Sequence, residues 1–198
     1  MSDPFRSIPP VVEVRALSPA LQQDFLSFFE GEAFADNPKW SSCFCQFMYL
    51  DHSKVEWSAR TRHENRSAAC ERICSQRMQG YLAYRDGQVV GWCNAAPRTM
   101  LDAFADEPEA QEDRIGQITC FVVAKAQRRS GVATALLHAA CAGLAAHGLL
   151  VAEAWPLVDD APSDARAHHG PLSMYLAAGF QVHRSGSDGK VCVRRSLL

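Results

Sequence analysis

The sequence lacks an excess of charge of either sign. Its 198 residues contain 20 lysines and arginines against 22 aspartates and glutamates, which gives a formal net charge of −2 at pH 7. A nucleic-acid-binding domain usually has a strongly basic composition, and this chain does not. Most of the cationic residues are arginines, so one arginine in a motif is weak evidence for a binding site. We therefore expect no nucleic-acid partner.

Long hydrophobic runs are also missing. Residues 1–10, MSDPFRSIPP, have no apolar centre and do not resemble a secretory signal. The longest mostly apolar stretch, residues 133–155, is interrupted by histidine, glycine and glutamate, and its pattern is amphipathic. Such a stretch does not predict a membrane-spanning helix. The expected location is the cytoplasm, where the eight cysteines would be reduced thiols.

The cysteines lack the spacing of a zinc knuckle. Cys43 and Cys45 form one close pair and Cys70 and Cys74 another, but neither pair has two intervening residues. Cys70 and Cys74 are one helical turn apart, which is the spacing of a buried helix face. We expect these cysteines to pack in the core and no metal to bind, with a zinc or redox site as the alternative.

The first half of the chain shows clear strand and helix patterns. We predict a strand over residues 11–17, a helix over 18–34 and a second helix over 54–79. Residues 81–98 form the clearest hairpin, because Asp86-Gly87 is a favoured type I′ turn dipeptide.

The second half predicts a strand–helix–strand unit followed by a helix and a hairpin. Residues 117–123, QITCFVV, are an apolar run suited to a strand covered on both faces. A helix over 130–147 and a buried strand over 149–156 complete the unit. A short helix over 171–179 and a hairpin over 180–197 close the chain. Because the crossover is parallel and the hairpins are antiparallel, we expect a mixed sheet.

Between the strand and the helix of that unit lies AKAQRRSG, residues 124–131. A helix N-terminus exposes unpaired N–H groups and the positive end of the helix dipole, which together favour anions. Gly131 lets a ligand approach the main chain, and Arg128 and Arg129 carry charges that match phosphate oxygens. The stretch predicts a diphosphate site, with a helix merely capped by Ser130 as the alternative. The Walker loop and the dinucleotide fingerprint are both absent.

Two motifs resemble those of the GNAT superfamily of acyl-CoA-dependent N-acetyltransferases. RRSGVA places Arg128, Gly131 and Ala133 at the three defining positions of the R/Q-x-x-G-x-G/A signature. Residues 174–180, MYLAAGF, are similar to the downstream L-Y-x-x-x-G-F block. NPKWSSCFCQF and GWCNAAPR are also similar to stretches of a bacterial subgroup of unknown substrate.

The resemblance covers about residues 11–196 and implies an α/β (α+β) fold. We expect a mixed, mostly antiparallel sheet of about seven strands, with a central parallel β-α-β crossover and helices on both faces. The chain would be a single domain over 1–198, with residues 1–10 as an N-terminal tail. A homodimer formed through the exposed hairpins is a further expectation.

The resemblance implies acetyl-CoA as co-substrate and direct attack on its thioester by an amine of a small molecule or peptide. Backbone at residues 121–123 would pair with the pantetheine arm, and the N–H of Phe121 or Val122 would stabilise the developing oxyanion. His168 stands where the family often has a cofactor-contacting asparagine. The residues implied in cofactor binding are Phe121, Val122, Val123, Arg128, Arg129, Ser130, Gly131, Val132, Ala133, Thr134 and His168.

Tyr175 stands where many family members have a tyrosine that protonates the departing thiolate. A phenol with a pKa near 10 can donate to a thiolate whose conjugate acid has a pKa of roughly 8.5. The alternative is a core aromatic residue with its hydroxyl at the surface.

The general base is less clearly marked. This chain has Gln117 where some family members have a glutamate, and an amide cannot take the proton of the amine. Glu153 is the only carboxylate inside a predicted core strand, and burial would raise its pKa, so it is the leading candidate. The alternatives are a water chain, a structural ion pair of Glu153 with Arg98 or Arg129, and, third, His168 or His169.

Two regions are expected to form the acceptor pocket. Residues 34–57 are rich in aromatic side chains that can line an apolar slot. Residues 94–114 are acidic and would attract a cationic amine, whereas the predicted helix over 54–79 is basic, so the two signals disagree. The substrate-binding candidates are Trp40, Phe44, Trp57 and Arg98.

These observations predict an N-acetyltransferase with Tyr175 as general acid. The alternative is a catalytically inactive GNAT-fold module that binds acyl-CoA or has a regulatory role. Gln117, in place of the family's glutamate, supports that alternative.

Overall fold

The computed structural model describes residues 11–158 and 167–198. Its strands are β1 Glu13–Ala16, β2 Gly80–Arg85, β3 Gln88–Pro97, β4 Ile115–Val123, β5 Val151–Ala154, β6 Gln181–Ser185 and β7 Val191–Ser196. They form one seven-stranded sheet in the order β1-β2-β3-β4-β5-β7-β6. Only β4 and β5 pair in parallel among these strands. The predicted mixed, mostly antiparallel sheet with a parallel crossover is confirmed.

Helices cover both faces of the sheet. They are α1 Gln22–Glu30, α2 Arg62–Cys74, α3 Val132–Ala146 and α4 Leu172–Ala177. On one face, Phe25 of α1 and Ile73 of α2 pack in a core with Trp92 of β3. On the other face, Leu136 of α3 and Tyr175 of α4 belong to a second core. The prediction of helices on both faces is therefore confirmed.

Two helices are shorter than predicted. The helix expected over 18–34 is α-helical only in α1, because short 3-10 turns replace its two ends. The helix expected from residue 54 begins at Arg62, since Thr61 and Glu64 form a capping box. The Thr61 hydroxyl accepts from the Glu64 N–H at 3.2 Å, and the Glu64 carboxylate accepts from the Thr61 N–H at 2.7 Å.

The β2–β3 hairpin turns as its sequence predicts. Asp86 and Gly87 have φ values of 49° and 75°. Both central residues of a type I′ turn need positive φ, so the turn type is confirmed.

The parallel crossover opens the sheet at one end. β4 and β5 pair from Ile115 with Val151 to Ile118 with Ala154, and β4 continues beyond the last pair to Val123. The far half of β4 therefore has a free edge beside the start of α3. Among the described residues, no helix combines the length and the apolar character needed to cross a membrane.

Candidate active site

The free edge of β4 faces residues 167–170. The N–H of Phe121 points across the gap and donates to the carbonyl of His168 at 2.6 Å. A cleft of about 940 Å³, which we call the α3 cleft, runs from this gap to the N-terminus of α3. Ser130 does not line it. The predicted cofactor residues that do are Phe121, Val122, Val123, Arg128, Arg129, Gly131, Val132, Ala133, Thr134 and His168.

The N-terminus of α3 opens onto this cleft without a side-chain cap. Gly131 is the N-cap residue, with φ at +86°. Ser130 was the alternative cap, but its hydroxyl donates instead to the Gln127 carbonyl at 2.5 Å. A Cβ on Gly131 would meet no atom within 4 Å. The first N–H groups of α3 thus face open space, as an anion site requires.

The Arg128 side chain is already paired. It donates to both carboxylate oxygens of Asp36, at 2.6 and 2.9 Å, and to the Val123 carbonyl at 3.2 Å. The hydrogen bond from Arg128 holds the pKa of Asp36 below its ordinary value. Arg128 therefore ties the loop before α3 to the turn after α1, and its charge is not left for a phosphate.

Arg85 is a residue of this region that the sequence analysis missed. Its guanidinium donates to the Gln127 side chain at 2.6 Å, to the Ser130 hydroxyl at 2.9 Å and to the Ser130 carbonyl at 2.7 Å. These bonds fix the loop in the shape that exposes the α3 N-terminus. Nothing in the local sequence marks Arg85, because it stands at the end of β2, 45 residues before Ser130.

A second cavity, of about 880 Å³, lies beside the α3 cleft. We call it the aromatic cavity, after the six aromatic residues in its lining: Phe34, Trp40, Phe47, Trp57, Phe104 and Trp155. Two of the predicted substrate-binding residues, Trp40 and Trp57, are among them.

Two other substrate-binding candidates need correction. Phe44 is fully buried and stacks on Phe29 with ring centroids 5.9 Å apart, so it belongs to the core. Arg98 is 2% exposed and lies behind the cavity wall, with its guanidinium 4.2 Å from the ring centroid of Phe104. Neither side chain lines the aromatic cavity.

The α3 cleft and the aromatic cavity share one wall. The residues common to both are Phe34, Trp40, Val122, Leu157, His168 and His169. The His168 ring meets the Trp40 ring edge-on, with centroids 4.9 Å apart. Two molecules, one in each space, would meet at this wall.

Tyr175 lies next to the shared wall without lining either cavity. Its side chain is fully buried, and its hydroxyl donates to the His169 carbonyl at 2.8 Å. Burial raises the pKa of the Tyr175 phenol well above its ordinary value. The hydroxyl is thus fully protonated at neutral pH, and it is buried rather than at the surface.

Glu153 is held in a structural cluster. It is fully buried opposite Gln117 in the β4–β5 register. Its carboxylate accepts from the Gln117 amide and from the Arg194 guanidinium, each at 2.6 Å, and Arg98 lies 3.8 Å away. Burial raises the pKa of Glu153, but the donors Gln117 and Arg194 lower it more, so the net pKa lies below its ordinary value. The predicted upward shift is wrong, and the structural pairing with Arg98 is present, with Arg194 as a further partner.

His169 is a neutral imidazole in the shared wall. Burial, then the charges of His168 and Lys190, lower its pKa to about 3, and a hydrogen bond to the Thr119 backbone only partly opposes this shift. At neutral pH the His169 ring therefore keeps one nitrogen as a hydrogen-bond acceptor.

The cysteines divide between cavity, core and surface. Cys43, Cys45 and Cys120 line the aromatic cavity. Cys74 is exposed at the end of α2, which corrects the expectation that it packs in the core, whereas Cys70 is half-buried against the core. Among the residues that the structure describes, no group of three or more His, Cys, Asp or Glu side chains could hold a metal ion.

Comparisons with known proteins bear first on the fold. No curated protein matches the sequence significantly. An aminoglycoside acetyltransferase in complex with coenzyme A is similar, at 18% identity and a TM-score of 0.59, over 94% of this chain and 95% of that one. An N-acetyltransferase from Thermoplasma acidophilum, also in complex with coenzyme A, shows 11% identity and a TM-score of 0.53 over 94% and 99%. An N-acetyltransferase from Staphylococcus aureus Mu50 shows 13% identity and a TM-score of 0.56, over 95% of this chain and 99% of that one.

The comparison with protein families matches well over half of the chain. The profile of the acetyltransferase (GNAT) family covers residues 38–169. This range includes Trp40 of the aromatic cavity, Gly131 at the head of α3 and His169 of the shared wall. The motif resemblance, the sheet order and the profile agree, and the chain belongs to the acetyltransferase (GNAT) family.

Proposed function

We propose that the protein is an N-acetyltransferase that transfers the acetyl group of acetyl-CoA to an amine of a small molecule or peptide. The observation that supports this most directly is the wall shared by the α3 cleft and the aromatic cavity. With the donor in the cleft and the acceptor in the cavity, thioester and amine would meet beside Val122 and His169.

The α3 cleft suits coenzyme A in two respects. The uncapped N–H groups at the start of α3 suit a diphosphate. The free edge of β4 at residues 121–123 offers backbone groups to the amides of a pantetheine arm. Acetyl-CoA would supply the acetyl thioester. Main-chain groups around Gly131 do the binding in this proposal, because the Arg128 side chain is paired with Asp36.

We propose direct attack of the amine, with Tyr175 as the proton donor to the leaving sulfur. The phenol is protonated and buried beside the cleft, which suits this role. Its hydroxyl now donates to the His169 carbonyl. Residues 168–169 therefore have to shift before Tyr175 can reach the sulfur.

We do not assign the base to Glu153, because Gln117 and Arg194 occupy its buried carboxylate. His169 is proposed instead, directly or through water, because it is neutral and lies in the shared wall. A group with so low a pKa takes the proton only as the C–N bond forms, when the attacking nitrogen becomes far more acidic.

The test measures thiol release from acetyl-CoA with a panel of amines, for wild type and Tyr175→Phe. We expect release that depends on the amine, and a loss of kcat of roughly 100-fold in the variant with coenzyme A affinity unchanged. Tyr84→Phe is the control, because its hydroxyl bonds Asp24 and it lines neither space. If coenzyme A binds but no amine is acetylated, the protein is a non-catalytic acyl-CoA-binding module.

A further inference from the structure

The two charged runs of the sequence do not form the acceptor surface. In the acidic loop, Glu109 pairs with Arg184 and Arg194 of the final hairpin, at 2.9 and 3.3 Å. On α2, Arg66 pairs with Glu30 at 2.6 Å. Of the carboxylates of the acidic loop only Glu107 lines the aromatic cavity, and no α2 residue lines it. The conflict between the two runs is therefore resolved, because neither sets the charge of the cavity.

Lysines set that charge instead. Lys39 and Lys190 line the aromatic cavity, and in the described part of the chain neither makes an ion pair. Lys190 is half-buried, and its charge helps to lower the pKa of His169 in the shared wall. Within the part of the lining that the structure describes, Glu107 is the one carboxylate, and it is exposed, as is Lys39. Among the described lining residues, two lysines without an ion pair thus outnumber the single carboxylate.

The walls of the cavity are apolar and large. Trp57 and Phe47 meet edge-to-face with ring centroids 5.2 Å apart, and Trp40 closes the side towards the α3 cleft. Burying an aromatic or branched apolar body against such rings is favourable, whereas a linear polyamine would leave most of the ring surface exposed to water. The volume of about 880 Å³ has room for a body of that size.

Charge and shape together select the acceptor. A bare ammonium would be repelled by Lys39 and Lys190, while a molecule that also carries a carboxylate offsets its own positive charge. We infer that the acceptor is an amine on an aromatic or bulky apolar body that also bears a carboxylate, with Lys190 as the main partner of that carboxylate. This inference rests on the proposed function, since it assumes that the aromatic cavity is the acceptor site.

The test is a binding titration in which tryptophan fluorescence reports ligand binding, since Trp40, Trp57 and Trp155 line the cavity. The ligands are phenylalanine, phenylalaninamide, phenethylamine and spermidine, added to the free protein and to protein saturated with coenzyme A. Phenylalanine and phenylalaninamide have the same aromatic body and the same amino group. They differ in that phenylalanine has a carboxylate where phenylalaninamide has a neutral amide. We expect it to bind about tenfold more tightly than phenylalaninamide, and spermidine to bind most weakly.

The variants are Lys190→Gln and, as control, Lys54→Gln, an exposed lysine paired with Asp51 at 2.5 Å. We expect Lys190→Gln to reduce the preference for phenylalanine over its amide to less than about threefold, and Lys54→Gln to preserve it. Equal binding of acid and amide, an equal effect of Lys190→Gln on both, or no binding of any ligand overturns the inference. Selective binding without acetyl transfer overturns the proposed function alone.

Discussion

Gly131 is the residue on which the shape of the α3 cleft depends most directly. Its φ of +86° lies in the left-handed region, and the space beside its Cα is open. Gly148, which follows α3, has a similar φ of +80° and similarly open space, but it lies at the other end of the helix. Substituting each glycine in turn therefore separates the effect of positive φ on stability from the effect of a side chain on ligand binding.

We predict that Gly131→Ala and Gly148→Ala each lower the free energy of unfolding by about 1 kcal/mol, because a Cβ disfavours positive φ. Only Gly131→Ala should weaken coenzyme A binding, by about tenfold, since its methyl group would stand where the diphosphate approaches the N–H groups. Urea denaturation and calorimetry measure the two effects. Equal affinity in both variants would contradict the placement of the diphosphate.

Glu153 is predicted to act on stability. Glu153→Gln leaves Arg98 and Arg194 without their buried counter-charge and should lower the free energy of unfolding at pH 7 by about 3 kcal/mol. Because its folded pKa is lowered, the stabilisation is present above its ordinary pKa of about 4.5 and is lost as the pH falls through the folded pKa.

The difference in the free energy of unfolding between wild type and Glu153→Gln should therefore shrink as the pH falls below the ordinary pKa of about 4.5, which urea denaturation at neutral and acid pH can measure. Glu30→Gln is the control, since its pair with Arg66 is exposed and screened by solvent, so its removal should change stability little. A variant of normal stability with a large loss of kcat would restore Glu153 as the base.

At this scale the sequence predicts residues marked by a local motif and misses those supplied by distant strands. Gly131 was identifiable because a strand, a glycine and a helix follow one another. Arg85 and Arg194 were not, because only the sheet order brings them to the loop and to Glu153. The aromatic run could not show which rings are buried; positive φ at Phe44 and Cys45, 42° and 55°, is part of the turn in which Phe44 enters the core.

The segment over residues 167–170 is the element that links the two proposed catalytic functions. Its His168 carbonyl accepts from the Phe121 N–H, and its His169 carbonyl accepts from the Tyr175 hydroxyl. A pantetheine arm pairing with β4 needs the first donor, and protonation of the sulfur needs the second. One displacement of this segment would release both.

We predict that coenzyme A increases hydrogen–deuterium exchange of the peptide containing residues 167–170. The His168 carbonyl then no longer holds the segment against the Phe121 N–H, so the turn bond from the Gly170 N–H to the Ala167 carbonyl opens more often. Mass spectrometry of the exchanged protein measures this, with the β2–β3 hairpin as internal control. Unchanged exchange in the presence of bound coenzyme A would show that the arm does not pair with Phe121.

Elements with a local signal were predictable from the sequence, and their ends often were not. Asp86-Gly87 determines its own turn, so the β2–β3 hairpin was predicted with its type. The start of α2 depends on a reciprocal pair of bonds between Thr61 and Glu64, which hydrophobic periodicity does not show. The gap beside β4 exists because β4 and β5 stop pairing after Ile118 and Ala154. Where two strands stop pairing is a property of the assembled sheet, so the sequence did not show it.

For the whole molecule, the parallel crossover supplies the α3 cleft, and the irregular chain between α1 and α2 supplies much of the aromatic cavity. Residues 38–59 contain several short 3-10 turns but no longer helix, which gives this wall its concave shape. The composition predicted a protein without a dominant charge, and in the structure Glu109 and Glu112 of its acidic loop pair with arginines. The local charge of the cavity therefore differs from that of the molecule.

The shared wall has a consequence for kinetics. His168 and His169 border both spaces, so a donor that moves them to reach β4 also reshapes the room left for the acceptor. If the proposed function holds, we expect the two reactants to depend on each other. Acetyl-CoA should add first, the acceptor site should reach its final form only afterwards, and the acetylated product should leave before free coenzyme A. A compulsory order of addition is therefore expected because the carbonyl groups of His168 and His169 lie on one short loop and move together.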